Sequence, residues 1–144
     1  MPKHAEQRLL SYSPEQMFDL VADVKRYPEF LPWCVATRIR QSNETMMVAD
    51  MVIGFKVFRE SFTTRVTLNR PNTIKVTYEN GPFKYLNNHW IFKESDGNSC
   101  TVDFDVDFEF RSRLLDAAIG AVFTEAVRRM VNAFETRANK LYGN

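Results

Sequence analysis

The chain has little with which to carry out covalent or metal chemistry. Of its 144 residues, two are cysteines, Cys34 and Cys100, and two are histidines, His4 and His89. Neither type has metal-ligand spacing, and no His-Glu-x-x-His, Cys-x-x-Cys, serine-elbow or glycine-rich phosphate motif occurs. The cysteines sit in apolar surroundings, which excludes a disulfide scaffold and reads as reduced core thiols in a reducing compartment. His4 falls in the N-terminal tail, and His89 has the opposite strand parity to Trp90. Asp103, Asp105 and Asp107 alternate along a strand, so they spread over a wet face rather than gather around a cation. These absences argue against an enzyme and against a cofactor.

Long apolar runs and charge excess are missing too. No window approaches the ~20 apolar residues that span a bilayer, and MPKHAEQRLL has no apolar stretch before a small-residue cleavage site. A protein that stays in the cytoplasm is expected. Nineteen Lys plus Arg against eighteen Asp plus Glu leave a net charge of +1, which gives no overall field for specific DNA binding or for anionic lipid.

What the chain does have is clear punctuation. Its length suits a single domain over residues 1–144, with roughly 70% of the unfolded surface buried. Ser13-Pro14-Glu15-Gln16 combines an N-cap serine, a proline at the first helical position and a glutamine three residues after the cap. A helix is predicted from Pro14 to near Val24, with Met17, Phe18, Val21 and Ala22 on one stripe. From Cys34 the period changes to two. Segments 35–41, 45–53, 57–68, 73–79, 85–93 and 99–110 read as six strands, and Leu9, Leu10 and Tyr12 suit one more. The links are too short for parallel crossovers, so an antiparallel meander follows. From Ser112 to about Tyr142 the period is helical again and predicts one helix of roughly 45 Å. The fold class is therefore α+β, a curved antiparallel sheet of about seven strands around a long C-terminal helix.

Sheet and helix leave a space that side chains either fill or line. Phe62, Tyr78, Trp90, Phe104, Phe108 and Phe123 face it by parity, with Leu115 and Ile119 on the helix stripe, either as plain core or as the wall of an apolar pocket. In FRESFTTRVTL the inward parity also carries Glu60 and Thr64. A buried carboxylate is costly alone, so Glu60 either meets an arginine or lies at a polar end of the pocket facing a ligand. Asn88 either donates to a ligand carbonyl or bonds the backbone. In YPEFLPWC, large apolar side chains sit on backbone that reads as irregular, which implies that the segment covers something apolar.

SYSPEQMFDLVADVKRYPEFLPWC, VIGFKVFRESFTTRVTL, NGPFKYLNNHWIF and VFTEAVRRMVNAFETRA resemble the coenzyme Q-binding family of START-like, polyketide-cyclase-type proteins, over nearly the whole chain. The resemblance implies a helix-grip fold around an apolar tunnel. It also implies binding of ubiquinone, an isoprenoid quinone, as carrier or chaperone in support of respiratory electron transport. Transient contact with a membrane surface, at the periphery of the inner membrane, goes with that role. Tyr27, Phe30, Leu31 and Trp33 would then form a lid, or else plug the open end of the core, and Ile53, Gly54 and Phe55 at a hairpin tip would form the opposite lip or ordinary core. Ribosome-association toxins share these motifs. The alternative is thus an inhibitor of ribosomal subunit joining that meets the large subunit, and a third reading is a small-molecule cyclase or hydratase relying on Glu60.

Overall fold

The computed structural model describes residues 3–55 and 58–143. Seven strands form one antiparallel sheet: β1 (Lys3–Leu10), β2 (Cys34–Ser42), β3 (Met46–Phe55), β4 (Phe58–Asn69), β5 (Thr73–Asn80), β6 (Phe83–Glu94) and β7 (Cys100–Phe110). Their order is β1-β7-β6-β5-β4-β3-β2. β2 to β7 are a meander, and β1 adds to its last strand with Lys3 opposite Asp107 and Leu10 opposite Cys100. The N-terminal strand is longer than Leu9 and Leu10 foretold. His4 therefore lies in a strand rather than a tail, its ring 6.0 Å from that of Phe104. Register shifts in the pairings of β2 with β3, β4 with β5 and β6 with β7 are bulges, which bend strands and let the sheet curl.

Helix α1 (Pro14–Ala22) begins with the complete capping box: Gln16 N donates to Ser13 Oγ at 3.1 Å, and Ser13 N donates to Gln16 Oε1 at 2.9 Å. Met17, Phe18, Leu20 and Val21 are buried. The next segment is more regular than its two prolines imply. Val24–Glu29 is a 3-10 helix containing Pro28.

The C-terminal helix is broken, contrary to the single 45 Å rod that its periodicity predicts. α2 (Arg113–Gly120) is capped by Ser112, whose Oγ accepts from Leu115 N, and α3 (Phe123–Tyr142), about 30 Å long, follows after a two-residue interruption. At the junction Val122 leaves helical dihedrals (φ −118°, ψ 7°), and its N–H donates to Ile119 O, three residues back. The break serves two separate cores. Leu115 of α2 packs into a phenylalanine cluster with Phe62, Phe83, Phe108 and Phe110. Val127, Phe134 and Ala138 of α3 pack into a larger core with α1, Trp90, Phe92 and Phe104. Gly120, the poorest helix former of the stretch, is the last residue of α2 before the interruption.

The outer face of the sheet is wet. Asp103, Asp105, Asp107 and Glu109 alternate with buried Val102, Phe104, Phe108 and Phe110 on β7, and Lys93 reaches Asp103 at 3.1 Å. No helix among the described residues is long and apolar enough to cross a membrane.

Candidate functional site

Between the two cores lie two adjoining cavities. The inner chamber, about 170 Å³, is bounded by Val21 and Val24 below, by Phe62, Val66 and Ile74 of β4 and β5, and by Trp90, Phe104 and Phe134. The outer chamber, about 220 Å³, is bounded by the Leu31–Cys34 turn and by Ile53, Phe108, Ile119 and Phe123, and reaches the α2–α3 junction through Val122. Leu31, Met51, Val106 and Met130 belong to both walls, so the chambers meet there. Joined, they reach the lower end of the ~300–1,000 Å³ typical of small-molecule sites. Among the described residues, none that is charged lines either one.

The polar groups of this space are few. Thr64, 7% exposed, lines the inner chamber, and its hydroxyl has no hydrogen-bond partner among the described residues. Asn88 also lines it. Its Nδ2 donates to Asp105 O at 2.6 Å, and its Oδ1 accepts from Trp90 Nε1 at 2.9 Å. The backbone alternative for Asn88 is thus the one realised, with one N–H left over. Tyr27 donates its hydroxyl to Val21 O, and burial raises its pKa far above the ordinary phenol value. Cys34, on the outer wall, is pushed up to about 11 by burial and remains a thiol at neutral pH.

The sequence-predicted residues separate into two groups. Tyr27, Leu31, Phe62, Asn88, Trp90 and Phe104 meet at the inner chamber, while Trp33, Phe108, Ile119 and Phe123 meet at the outer. The others lie elsewhere. Phe30 packs edge-on to Phe134 beneath the Arg137 guanidinium, 5.0 Å from its ring, and helps anchor the 3-10 helix to α3. Tyr78 accepts from Phe83 N at 3.1 Å and, like Leu115, packs with the phenylalanine cluster. Glu60 has the predicted inward parity and is half-buried, but it lines neither chamber and has neither an arginine nor a hydrogen-bond partner among the described residues. It pairs with Ile53, an outer-chamber residue, close to the end of the hairpin, without itself lining that chamber. The side chain of Phe55 lies outside the described residues, as do Lys56 and Val57. Ile53 and Gly54 are not a turn, because the ladder continues to Phe55 opposite Phe58.

Of the YPEFLPWC lid, then, only part covers the outer chamber. Tyr27 is core, and the cover is Leu31, Pro32 and Trp33. Trp33 takes φ 66°, a left-handed conformation that is strained for a bulky residue, and its carbonyl accepts from Gly54 N at 2.8 Å. Met51, Met130 and Val106, the shared wall, escaped notice in the sequence because their spacing marks only an inward face. Thr64 was placed inward by parity alone.

A curved sheet closed by helices over an apolar, uncharged cavity is the architecture of a small-ligand-binding α+β fold. The chain belongs to the family described as "Polyketide cyclase / dehydrase and lipid transport", whose model matches residues 10–135. A START superfamily protein from Mycobacterium smegmatis shares the fold, with a TM-score of 0.81 at 17% identity over 96% of this chain and 98% of that one. The chain is 42% identical to the "Ribosome association toxin RatA" of Pseudomonas aeruginosa, covering 94% of each. It is 32% identical to the "Coenzyme Q-binding protein COQ10 homolog B, mitochondrial" of Xenopus laevis, covering 98% of this chain and 59% of that protein.

Proposed function

We propose that this chain binds an isoprenoid quinone in the joined chambers and acts as its carrier or chaperone, without catalysing a reaction. The observation that carries the reading is the pair of apolar chambers whose walls, among the described residues, hold no charge. Such a wall gains roughly 25 cal/mol for each Å² of apolar ligand surface taken from water and offers nothing to an ionic ligand. The coenzyme Q-binding name of one relative supports it. No cofactor takes part, and contact with the membrane is transient.

The ribosome-association name of the bacterial relatives favours a second reading, association with the ribosomal large subunit. The surface gives it modest support. Several exposed arginines are already engaged by acids: Arg40 with Asp50 at 2.7 Å, Arg65 with Glu79 at 3.1 Å, Arg129 with Glu125 at 3.1 Å. An RNA-binding surface needs cations free to replace counterions.

Co-sedimentation decides between them, first with quinone-loaded liposomes and then with large subunits, at low and moderate salt. Quinone-dependent liposome binding that persists in salt, together with quinone in an organic extract of the purified protein, is the expected result. Tight, saturable subunit binding, with liposome binding indifferent to quinone, would transfer the function to the ribosome.

A further inference from the structure

We infer that the inner chamber is a subsite for one neutral ring, that the Thr64 hydroxyl is its specificity-determining donor, and that the ligand enters ring first with its tail in the outer chamber. This assignment rests on the quinone reading above and deepens it. Size is the first support. An apolar cavity of ~150 Å³ holds one benzene ring, and the inner chamber, at about 170 Å³, has room for one substituted ring.

Polarity is the second. Thr64 is buried as a residue, yet its hydroxyl has no protein partner among the described residues and stays accessible in a chamber that it lines, so a ligand there can complete its hydrogen bonding. Asn88 stands on the same wall with one N–H uncommitted. Both can donate to a ring carbonyl oxygen. Among the described residues, the outer chamber offers no hydroxyl, carboxamide or charged side chain. A carbonyl held there would forfeit its hydrogen bonds to water, whereas a branched hydrocarbon would forfeit nothing. Among the described residues neither wall carries a cation, and a buried anion needs a partner, so a carboxylate head is disfavoured. The chamber therefore selects a neutral ring with carbonyl acceptors over a fatty acid.

The two tryptophans report orientation, because Trp90 lines the inner chamber and Trp33 the outer, and the chain has no others. Quinones quench indole fluorescence on near contact, and alkyl tails do not. Titrating a decyl-tailed dimethoxybenzoquinone into Trp33→Phe, which retains Trp90, should quench strongly, and titrating it into Trp90→Phe should quench weakly. Thr64→Val, which keeps the shape, should lose about fivefold in quinone affinity, the worth of one neutral hydrogen bond. Its affinity for decylbenzene, measured by competition, should be unchanged. Lauric acid should not compete in the unaltered protein.

The reverse quenching pattern overturns the orientation. Equal loss of quinone and decylbenzene affinity in Thr64→Val overturns the role of the hydroxyl, and lauric acid competing as well as the quinone overturns the selection. Each of these outcomes leaves quinone binding standing. No saturable binding of quinone or decylbenzene to the unaltered protein overturns the underlying reading, and the inference with it.

Discussion

The indole of Trp90 donates to Asn88, two residues earlier on the same inward face of β6, and Asn88 in turn donates to the β7 backbone at Asp105. A side-chain relay thus fixes the orientation of the ring that floors the inner chamber. Asn88→Asp breaks the Asp105 end of it, setting oxygen against oxygen there, keeps an acceptor for the Trp90 indole, and places a charge in a wall whose described residues carry none. The expected loss is about 1–3 kcal/mol at neutral pH, measured by urea unfolding. Part of it should return on acidification, because burial raises the pKa of the new carboxylate and protonation restores a donor. Unchanged stability would mean that the relay contributes nothing.

Trp33 is held at positive φ on the wall of the outer chamber. Trp33→Gly removes a ring from the chamber wall and relieves the backbone at once. Its stability loss should fall well short of the ~3–5 kcal/mol of a core ring truncation. Quinone affinity should nevertheless drop about tenfold, or ~1.4 kcal/mol. A loss of melting temperature matching that of Phe62→Ala, without a specific binding defect, would make Trp33 a plug.

Glu60 has no partner to strand among the described residues. Breaking a buried ion pair costs ~3–5 kcal/mol, but a substitution away from such features changes stability by about 0.5 kcal/mol or less. Glu60→Gln should show the smaller effect in denaturant unfolding and leave quinone affinity unaltered. A large destabilisation would reveal an ion pair beyond the described residues.

Burial pushes both Cys34 and Cys100 up to about 11. In the unfolded chain these thiols ionise near their ordinary value of 9.0, while the folded protein keeps them neutral. Their contribution to stability is therefore complete below about pH 9 and is lost as the pH rises towards about 11. Thermal unfolding across that window should show the decline, and Cys34→Ala should flatten it. Maleimide should label Cys34 slowly at neutral pH, since the thiolate is the nucleophile, and more slowly still with quinone bound. Rapid labelling at neutral pH would contradict a buried thiol.

The sheet was readable because β7 and β4 alternate cleanly and because turn residues stand between the strands. Parity correctly placed Thr64, Asn88 and Glu60 inward. It could not say how far along the strand each one lies, and distance from the hairpin end is what separates Thr64, in the chamber, from Glu60, beyond it. The α2–α3 break was hidden for a related reason. Leu115, Ile119, Val122 and Phe123 keep helical spacing through the break, so periodicity registers no interruption, whereas the two cores that require it are built from residues distant in sequence. In YPEFLPWC the prolines suggested irregular backbone, yet Pro28 is accommodated inside a 3-10 helix whose ring Tyr27 is buried.

α2 has eight residues and buries one of them, Leu115. A helix so short is marginal by itself, since isolated helices need ~12–15 residues even with favourable composition. Its amides should therefore exchange with deuterium much faster than those of α3, through openings that cost a fraction of the global unfolding free energy. Ile119 rides on that segment and closes one side of the outer chamber. On the quinone-binding function proposed above, the ligand would then exchange on the timescale of a single fraying turn, without unfolding of the seven-stranded sheet.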